Sequence, residues 1–403
     1  MDRIEGAGMD WDATRAAFAL PEGVIYLDGN SLGPLPRGAR DAVARTLDDW
    51  QARLIGGWTG AGWMDAPDSQ GDRIARLIGA PEGSVTVGDT LTLKVHQMLA
   101  AALRMRPDRR VVLSDSGNFP TDLYIAQGLL DTLGRGHELR VVPPEGVTDA
   151  LDGDVAAMML THVDYRTGRM HNMATLTARA HDVGALAIWD LAHSAGAVPV
   201  DVTGAGADFA AGCTYKYLNA GPGAPAFVHV RPDLIDAVEP ALSGWLGHAA
   251  PFAFEPAYRP ASGIGRMRIG TPPVLQMAAL SAALDVWDGV SMDAVRARSV
   301  ALSERLIAGV EASCPALTLA SPRDAASRGS QVSFRHPEGY SIMQVLIARG
   351  VIGDFRAPDI LRFGVTPLYL SEREIDAAVD HLAAVMAGRE WDDPRHRVRR
   401  AVT

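Results

Sequence analysis

The stretch "GALAIWDLAHSAG", residues 184–196, passes from a glycine through an unbroken apolar run to Asp190 and then into small residues. Apolar runs of this length, bounded by turn formers, read as strands buried on both faces, the kind a parallel sheet between helices requires. In open α/β sheets ligands sit beyond the carboxyl ends of the strands, so a carboxylate at that end is placed for chemistry. Asp190 equally reads as a cap on the turn or helix that follows, and position alone leaves both readings open.

Similar runs lie on either side: "SVTV" (84–87), "RVVLSD" (110–115), "ELRVV" (138–142), "VAAMMLTHV" (155–163) and "APAFVHV" (224–230). Between them come the helical patterns "LTLKVHQMLAAALRM" (91–105), "TDLYIAQGLLDTL" (121–133) and "MATLTARAHDVG" (173–184). This alternation predicts a large α/β domain with a parallel or mixed sheet over residues 51–275. After "IGTPPVLQMAALSAALDVW", whose paired prolines open a helix, the order becomes helix, "SQVSFRHP", helix, "ILRFGV" and a last helix from about Ser371. That segregation predicts a smaller α+β domain over 276–403. Residues 1–50, with "VIYLDGNSLGPLP" running extended into turns, are expected to pack with the smaller domain.

The chain has 403 residues, with 48 acidic against 38 basic, an excess that argues against nucleic acid as a partner. No run approaches the roughly 18 apolar residues of a membrane span, and the start "MDRIEGAGMDWD" has no apolar leader core. The end "RHRVRRAVT" reads as a solvated basic tail. Cys213 and Cys314 form neither a disulfide framework nor a CxxC metal pair, so no metal and a reducing, cytoplasmic compartment are expected.

Only two lysines occur, Lys94 and Lys216, among 38 basic residues. Lys216 stands in "GCTYKYLNAGPG" (212–223), between two tyrosines and before a glycine-rich loop. An amine can lose its proton when desolvated and attack a carbonyl, which a guanidinium cannot do. A lysine of that kind, with an aspartate to keep a pyridine nitrogen protonated, is the pair that pyridoxal phosphate requires. "GDTLTLKVHQML" offers a phosphate cradle, since Asp89, Thr90 and Thr92 open a helix whose N–H groups and dipole favour an anion, although N-capping explains the threonines as well. Lys94, inside that helical pattern, reads as a solvated or snorkelling residue. In "SGNFPTD" (116–122), Phe119 can cover a ring face and Asp122 adds a second carboxylate, or the aromatic simply packs.

"YLDGNSLGPLP", "FPTD", "THVDYRTGRMHNM", "WDLAHSAGAVPVD", "CTYKYLNAGPG", "GWLGH", "RIGTPPVLQM" and "LRFGVTPLY" occur in this order. Together, over about residues 24–370, they resemble kynureninase, a fold-type I pyridoxal-phosphate family of the class V aminotransferase group. The resemblance implies the aspartate-aminotransferase-like fold and a homodimer with shared active sites. It makes Lys216 the Schiff-base lysine, Asp190 the pyridinium partner, and Tyr215 a phosphate contact and proton relay. Leu91 and Thr92 fall at phosphate contacts, and Phe119, Pro120, Thr121 and Asp122 at the ring-stacking and ring-nitrogen segment. Thr161 and His193 are further cofactor contacts, while Trp245 and Thr271 match positions lent by the neighbouring subunit. Asn30, Ser31, Trp58 and Arg362 match substrate positions, Arg362 being the arginine that grips the amino-acid carboxylate.

The activity this implies is hydrolysis of L-kynurenine to anthranilate and L-alanine in tryptophan catabolism. Animal members tend to carry His at Trp58 and Asn at Thr271, so the resemblance to bacterial members favours kynurenine over 3-hydroxykynurenine. Rival readings are another class V enzyme, such as an aminotransferase or a cysteine desulfurase, a nicotinamide-dependent oxidoreductase, and a non-catalytic binding protein on the same scaffold. The desulfurase needs a mobile cysteine, which neither Cys213 nor Cys314 suggests, and the oxidoreductase needs a GxGxxG that is missing. The binding protein would be expected to have lost Lys216 or Arg362.

Overall fold

The computed structural model describes residues 9–398, so most of the acidic start and the last part of the basic tail lie outside the described residues. Strands β1 (Ile25–Tyr26) to β8 follow as β2 (Val85–Val87), β3 (Val111–Asp115), β4 (Glu138–Val142), β5 (Val155–Thr161), β6 (Leu186–Asp190), β7 (Phe209–Gly212) and β8 (Phe227–Val230). Seven of them form one sheet in the order β2-β8-β7-β6-β5-β3-β4. Strands β7, β6, β5, β3 and β4 pair in parallel, while β8 is antiparallel to both its neighbours. The sheet is therefore mixed, as the alternation of patterns predicts.

Side chains alternate across a strand, and the core divides accordingly. Met158, Leu160, Ala187 and Trp189 belong to one buried cluster, while Met159, Leu186 and Ile188 belong to another on the opposite face. Helix Leu91–Met105 packs against β5 and β7, and helix Met173–Asp182 against β6. Trp189, fully buried, donates from its indole nitrogen to Thr177 Oγ1 at 3.0 Å. Its truncation to alanine is expected to cost about 3–5 kcal/mol.

The second part carries β9 (Thr318–Leu319), β10 (Gln331–Arg335), β11 (Val351–Ile352), β12 (Asp354–Arg356) and β13 (Ile360–Gly364). Four of these form an antiparallel sheet ordered β12-β13-β10-β9, and β11 instead pairs in parallel with β1. The N-terminal chain also holds on through Arg15, which pairs with Glu374, and through Phe18, whose ring meets Tyr369 edge-on at 5.4 Å. Helix Gly38–Arg53 lies along helix Val274–Asp285, which also touches helix Ala66–Ile78. The final helix, Glu372–Gly388, starts at a Ser371–Glu374 capping box, in which each side chain satisfies the other's backbone N–H.

Candidate functional site

The register of the large sheet brings the first site residues together. Thr161 ends β5 directly opposite Asp190 at the end of β6, and Asp190 faces Ala211 in β7. The Thr161 hydroxyl lies 3.3 Å from Asp190 Oδ2 and bonds Asn118 Oδ1. Asp190 Oδ1 accepts the Ala192 N–H at 2.7 Å, so the same residue closes the turn and presents a carboxylate. Beyond β7 the chain loops back so that Lys216 Nζ stands 3.0 Å from His193 Nε2. The amine lies 5.9 Å from the Phe119 ring centre and 5.8 Å from that of Tyr215. Asn219 closes the loop with φ +60°, a left-handed conformation that asparagine tolerates.

Burial sets the charge states. Asp190 and Asp122 are both nearly inaccessible, and burial raises both carboxyl pKa values, with Asp190 adding repulsion to Asp122 and Lys216 opposing both rises. Asp122 Oδ2 has no partner among the described residues, nor has His193 Nδ1. Burial, with Lys216, Arg362 and Arg356 nearby, drives His193 well below the usual imidazole range and keeps it neutral. Burial also holds the Tyr215 phenol protonated, since its pKa is raised.

Two buried acids short of a cation, beside an amine held by a neutral imidazole, suit a pyridine ring that carries a carbonyl. Leu91 and Thr92 supply the anion end. They open the 15-residue helix Leu91–Met105, whose first N–H groups lack intrahelical partners, and Thr90 caps it by accepting from Leu93 N at 3.4 Å. Pyridoxal phosphate fits this set: Lys216 for attachment, Asp190 and Asp122 for the nitrogen, the helix start for phosphate. Pro120 and Thr121 open helix Pro120–Leu133 between Phe119 at its cap and Asp122 in its first turn.

Lys94 corrects the expectation of a solvated lysine. It is completely buried, with Nζ at 3.0 Å from Asp89 Oδ2, 3.1 Å from Gln97 Oε1 and 3.2 Å from the Met267 carbonyl. Burial lowers its pKa, and Asp89 opposes that. The Asp89 carboxylate is thus engaged with Lys94 just ahead of the helix start, and a helical-face pattern carries no sign of such an internal pair.

The residues expected on the substrate side come from the smaller sheet and from the N-terminal segment. Arg362, fully buried in β13, donates from Nε to Asp354 Oδ1 at 2.7 Å, from Nη1 to the Tyr165 carbonyl at 2.5 Å, and from Nη2 to Ser31 Oγ at 2.8 Å and to Asp354 Oδ2. The guanidinium fork expected to face a ligand therefore already faces Asp354. Ser31 Oγ also bonds Asp354 Oδ2 at 2.9 Å. Asn30 is buried, with Nδ2 3.5 Å from Gln331 Oε1. Gly33 explains the end of "GNSLG": its N–H bonds the Tyr215 carbonyl at 2.8 Å, and a Cβ there would strike the Lys216 backbone and Asn219.

Trp58, Trp245 and Thr271 have no contact with the Lys216 group among those described. Trp58 meets Trp63 edge-on at 5.9 Å, Trp245 is 40% exposed against Phe252, and Thr271 is exposed. Residues in contact with this group that the sequence reading did not single out are Asn118, Tyr165, Asp354 and Arg356, with Asp28 interacting electrostatically with Asp354 and Arg362. The alternation in "GDFR" (353–356), which sets Asp354 and Arg356 on one face of β12, was the available signal.

Comparison with known proteins gives the same direction. Residues 295–382 match the kynureninase C-terminal domain family. The chain is 52% identical over 397 residues to a kynureninase of Pseudomonas fluorescens, covering 96% of this chain and 95% of that one. It is 51% identical to a kynureninase of Burkholderia pseudomallei, covering 100% and 99%. Among solved structures, a C-DES mutant with glycine covalently linked to its PLP cofactor superposes with a TM-score of 0.81 at 20% identity, covering 92% of this chain and 98% of that one. The apo cysteine desulfurase of Thermococcus onnurineus superposes with a TM-score of 0.80 at 18% identity, covering 95% and 100%. At those identities the structures establish the fold alone, which is the fold-type I architecture expected. With half of all positions identical along essentially the whole chain, this chain belongs to the kynureninase family.

Proposed function

We propose that the chain hydrolyses the bond between the β carbon and the aryl ketone carbon of L-kynurenine, giving anthranilate and L-alanine, with Lys216 as its central residue. It is a pyridoxal-phosphate-dependent hydrolase acting on a small molecule. The observation that carries the residue assignment is the Lys216 amine at 3.0 Å from a neutral His193 and within electrostatic reach of two buried carboxyls. When bound, the cofactor supplies an electron sink for charge that develops at the α carbon. Asp190 holds the proton on the cofactor's nitrogen, with Asp122 beside it. Lys216 moves the α proton, since the other lysine, Lys94, is engaged with Asp89, Gln97 and the Met267 carbonyl. The Tyr215 phenol, kept protonated by burial, delivers a proton to the departing three-carbon fragment. Arg362 orients the amino-acid carboxylate, and a water adds to the ketone before the carbon–carbon bond parts. Cys213 and Cys314 are both buried free thiols, which supports hydrolysis over a desulfurase reaction and a reducing, cytoplasmic setting.

Exposure supports a homodimer with shared sites. Trp245 and Phe252 are 40% and 63% exposed, and Trp50, Leu54 and Ile55 form a second apolar patch at 57%, 65% and 80%. Patches of this kind on a soluble fold mark interaction surfaces. Trp245 and Thr271 would then reach the neighbour's phosphate. Trp58 offers an indole face and a single donor, so it cannot accept from a ring hydroxyl, and kynurenine is preferred to 3-hydroxykynurenine by roughly a hundredfold in kcat/KM. No helix among the described residues is long and apolar enough to cross a membrane. The test is product analysis: L-kynurenine should yield anthranilate and L-alanine in equal amounts, and alanine replaced by a keto acid would indicate a transaminase.

A further inference from the structure

Arg362 has five N–H groups, and four of them are committed to Asp354, Ser31 and the Tyr165 carbonyl. A two-point grip on a ligand carboxylate needs two parallel donors, so Arg362 alone has one too few. The second donor lies close by. Arg356 stands two residues after Asp354 on β12, on the same face, and its Nη2 is 2.7 Å from Asp354 Oδ2. Its Nε is buried with no partner among the described residues, while its side chain keeps 37% of its surface open. The charge of Arg356 also adds to those of Lys216 and Arg362 in holding the His193 ring neutral.

The charge count points the same way. Two guanidiniums share one carboxylate, Asp354, and the neighbouring Asp28 carboxyl is raised to about 7 by burial and by Asp354. Around neutral pH the cluster therefore carries surplus positive charge in a buried place, which is costly unless a further anion joins it.

We propose that Arg356 is a substrate-binding residue, the second arm of a two-arginine clamp on the amino-acid carboxylate, with Asp354 as the shared counter-ion that positions both arms. This rests on the reading that Arg362 anchors that carboxylate. Asp354 is a positioning residue because it touches the arginines and not the ligand. Arg356 contributes to binding before and during the reaction alike, so its loss raises KM and leaves kcat comparatively intact.

The test titrates the cofactor-loaded protein with L-alanine and with L-alaninamide, which lacks the carboxylate, following the cofactor's absorbance. Arg356→Gln should weaken L-alanine by about tenfold or more and L-alaninamide by less than about twofold. Arg356→Lys should recover part of the loss, since it restores charge without the fork. Equal weakening of both ligands would mean a structural role and overturn the proposal, as would unchanged L-alanine affinity. Arg362→Lys, measured alongside, separates the two claims. A carboxylate-selective loss in Arg362→Lys with none in Arg356→Gln sinks the clamp and leaves the Arg362 reading standing. Loss in Arg356→Gln alone keeps Arg356 as a carboxylate ligand and removes Arg362 as the anchor.

Discussion

At the carboxyl edge of the large sheet the reactive groups are short of partners, whereas on the smaller sheet the charged groups are bound to one another. Asp122 Oδ2 and His193 Nδ1 are buried and unpartnered, and Lys216 Nζ meets His193. Arg362, Arg356, Asp354 and Ser31 are joined by ion pairs and hydrogen bonds, with Arg356 Nε left over. The first arrangement leaves polar groups open to a ligand, the part the proposed function gives to the cofactor. The second fixes the direction of an arginine before any ligand arrives, which lowers the ordering cost of binding. One half of the site is reactive and the other is preorganised, and substitutions should divide along that line.

The largest effect belongs to the reactive half. Lys216→Ala should reduce turnover on the order of 10³-fold or more, because Lys94, the one other lysine, is buried against Asp89 and Gln97. Steady-state assay of anthranilate formation measures this. Asp190→Asn should keep the cofactor and lower kcat by roughly a hundredfold, since an amide cannot hold a proton on the ring nitrogen. Wild-type kcat in Asp190→Asn would transfer the role to Asp122.

Lys94→Met probes the support of the reactive half, because Lys94 ties the turn before the phosphate-side helix to the Met267 carbonyl. Asp89 retains 26% of its side-chain surface and can turn to water when the pair is broken, so the expected loss is about 1–3 kcal/mol. Thermal unfolding measures it, and an unchanged Tm would show that the pair contributes nothing.

The smallest effect is a pH dependence from the preorganised half. Asp28 faces Asp354 and Arg356 on β12, Arg362 on β13, and the Tyr26, Tyr217 and Tyr369 phenols. Its pKa is raised from 3.8 to about 7, so the folded state keeps a proton that the unfolded chain releases. The stability it contributes is complete below pH 3.8 and is lost as pH rises to about 7. As pH passes through about 7, a new negative charge appears in the folded protein beside the carboxylate site. L-Alanine binding should weaken several-fold from pH 6 to 8 in the wild type relative to Asp28→Asn. Parallel profiles in the two proteins would remove Asp28 from the account.

The two halves also differed in how far they could be read from sequence. Asp190, Lys216 and Phe119 to Asp122 follow apolar strands or sit in compact motifs, so local pattern and chain order located them. Gly33 and Asn219 lie within quoted motifs, but the reasons for them, the Lys216 backbone and a left-handed turn, required the fold. Asp354 and Arg356 became meaningful only when β12 paired with β13 and set Asp354 opposite Arg362. Lys94 was misread because an amphipathic pattern gives the face of a helix and not the partner waiting inside.

The central claim is that Lys216 is the amine that holds the cofactor and works on the substrate. Borohydride reduction of the cofactor-loaded protein, followed by peptide mapping, tests it most directly. The peptide spanning "GCTYKYLNAGPG" should carry the cofactor on Lys216, with Lys94 unlabelled. Label on Lys94, or none on Lys216 in protein that forms anthranilate, would contradict the account.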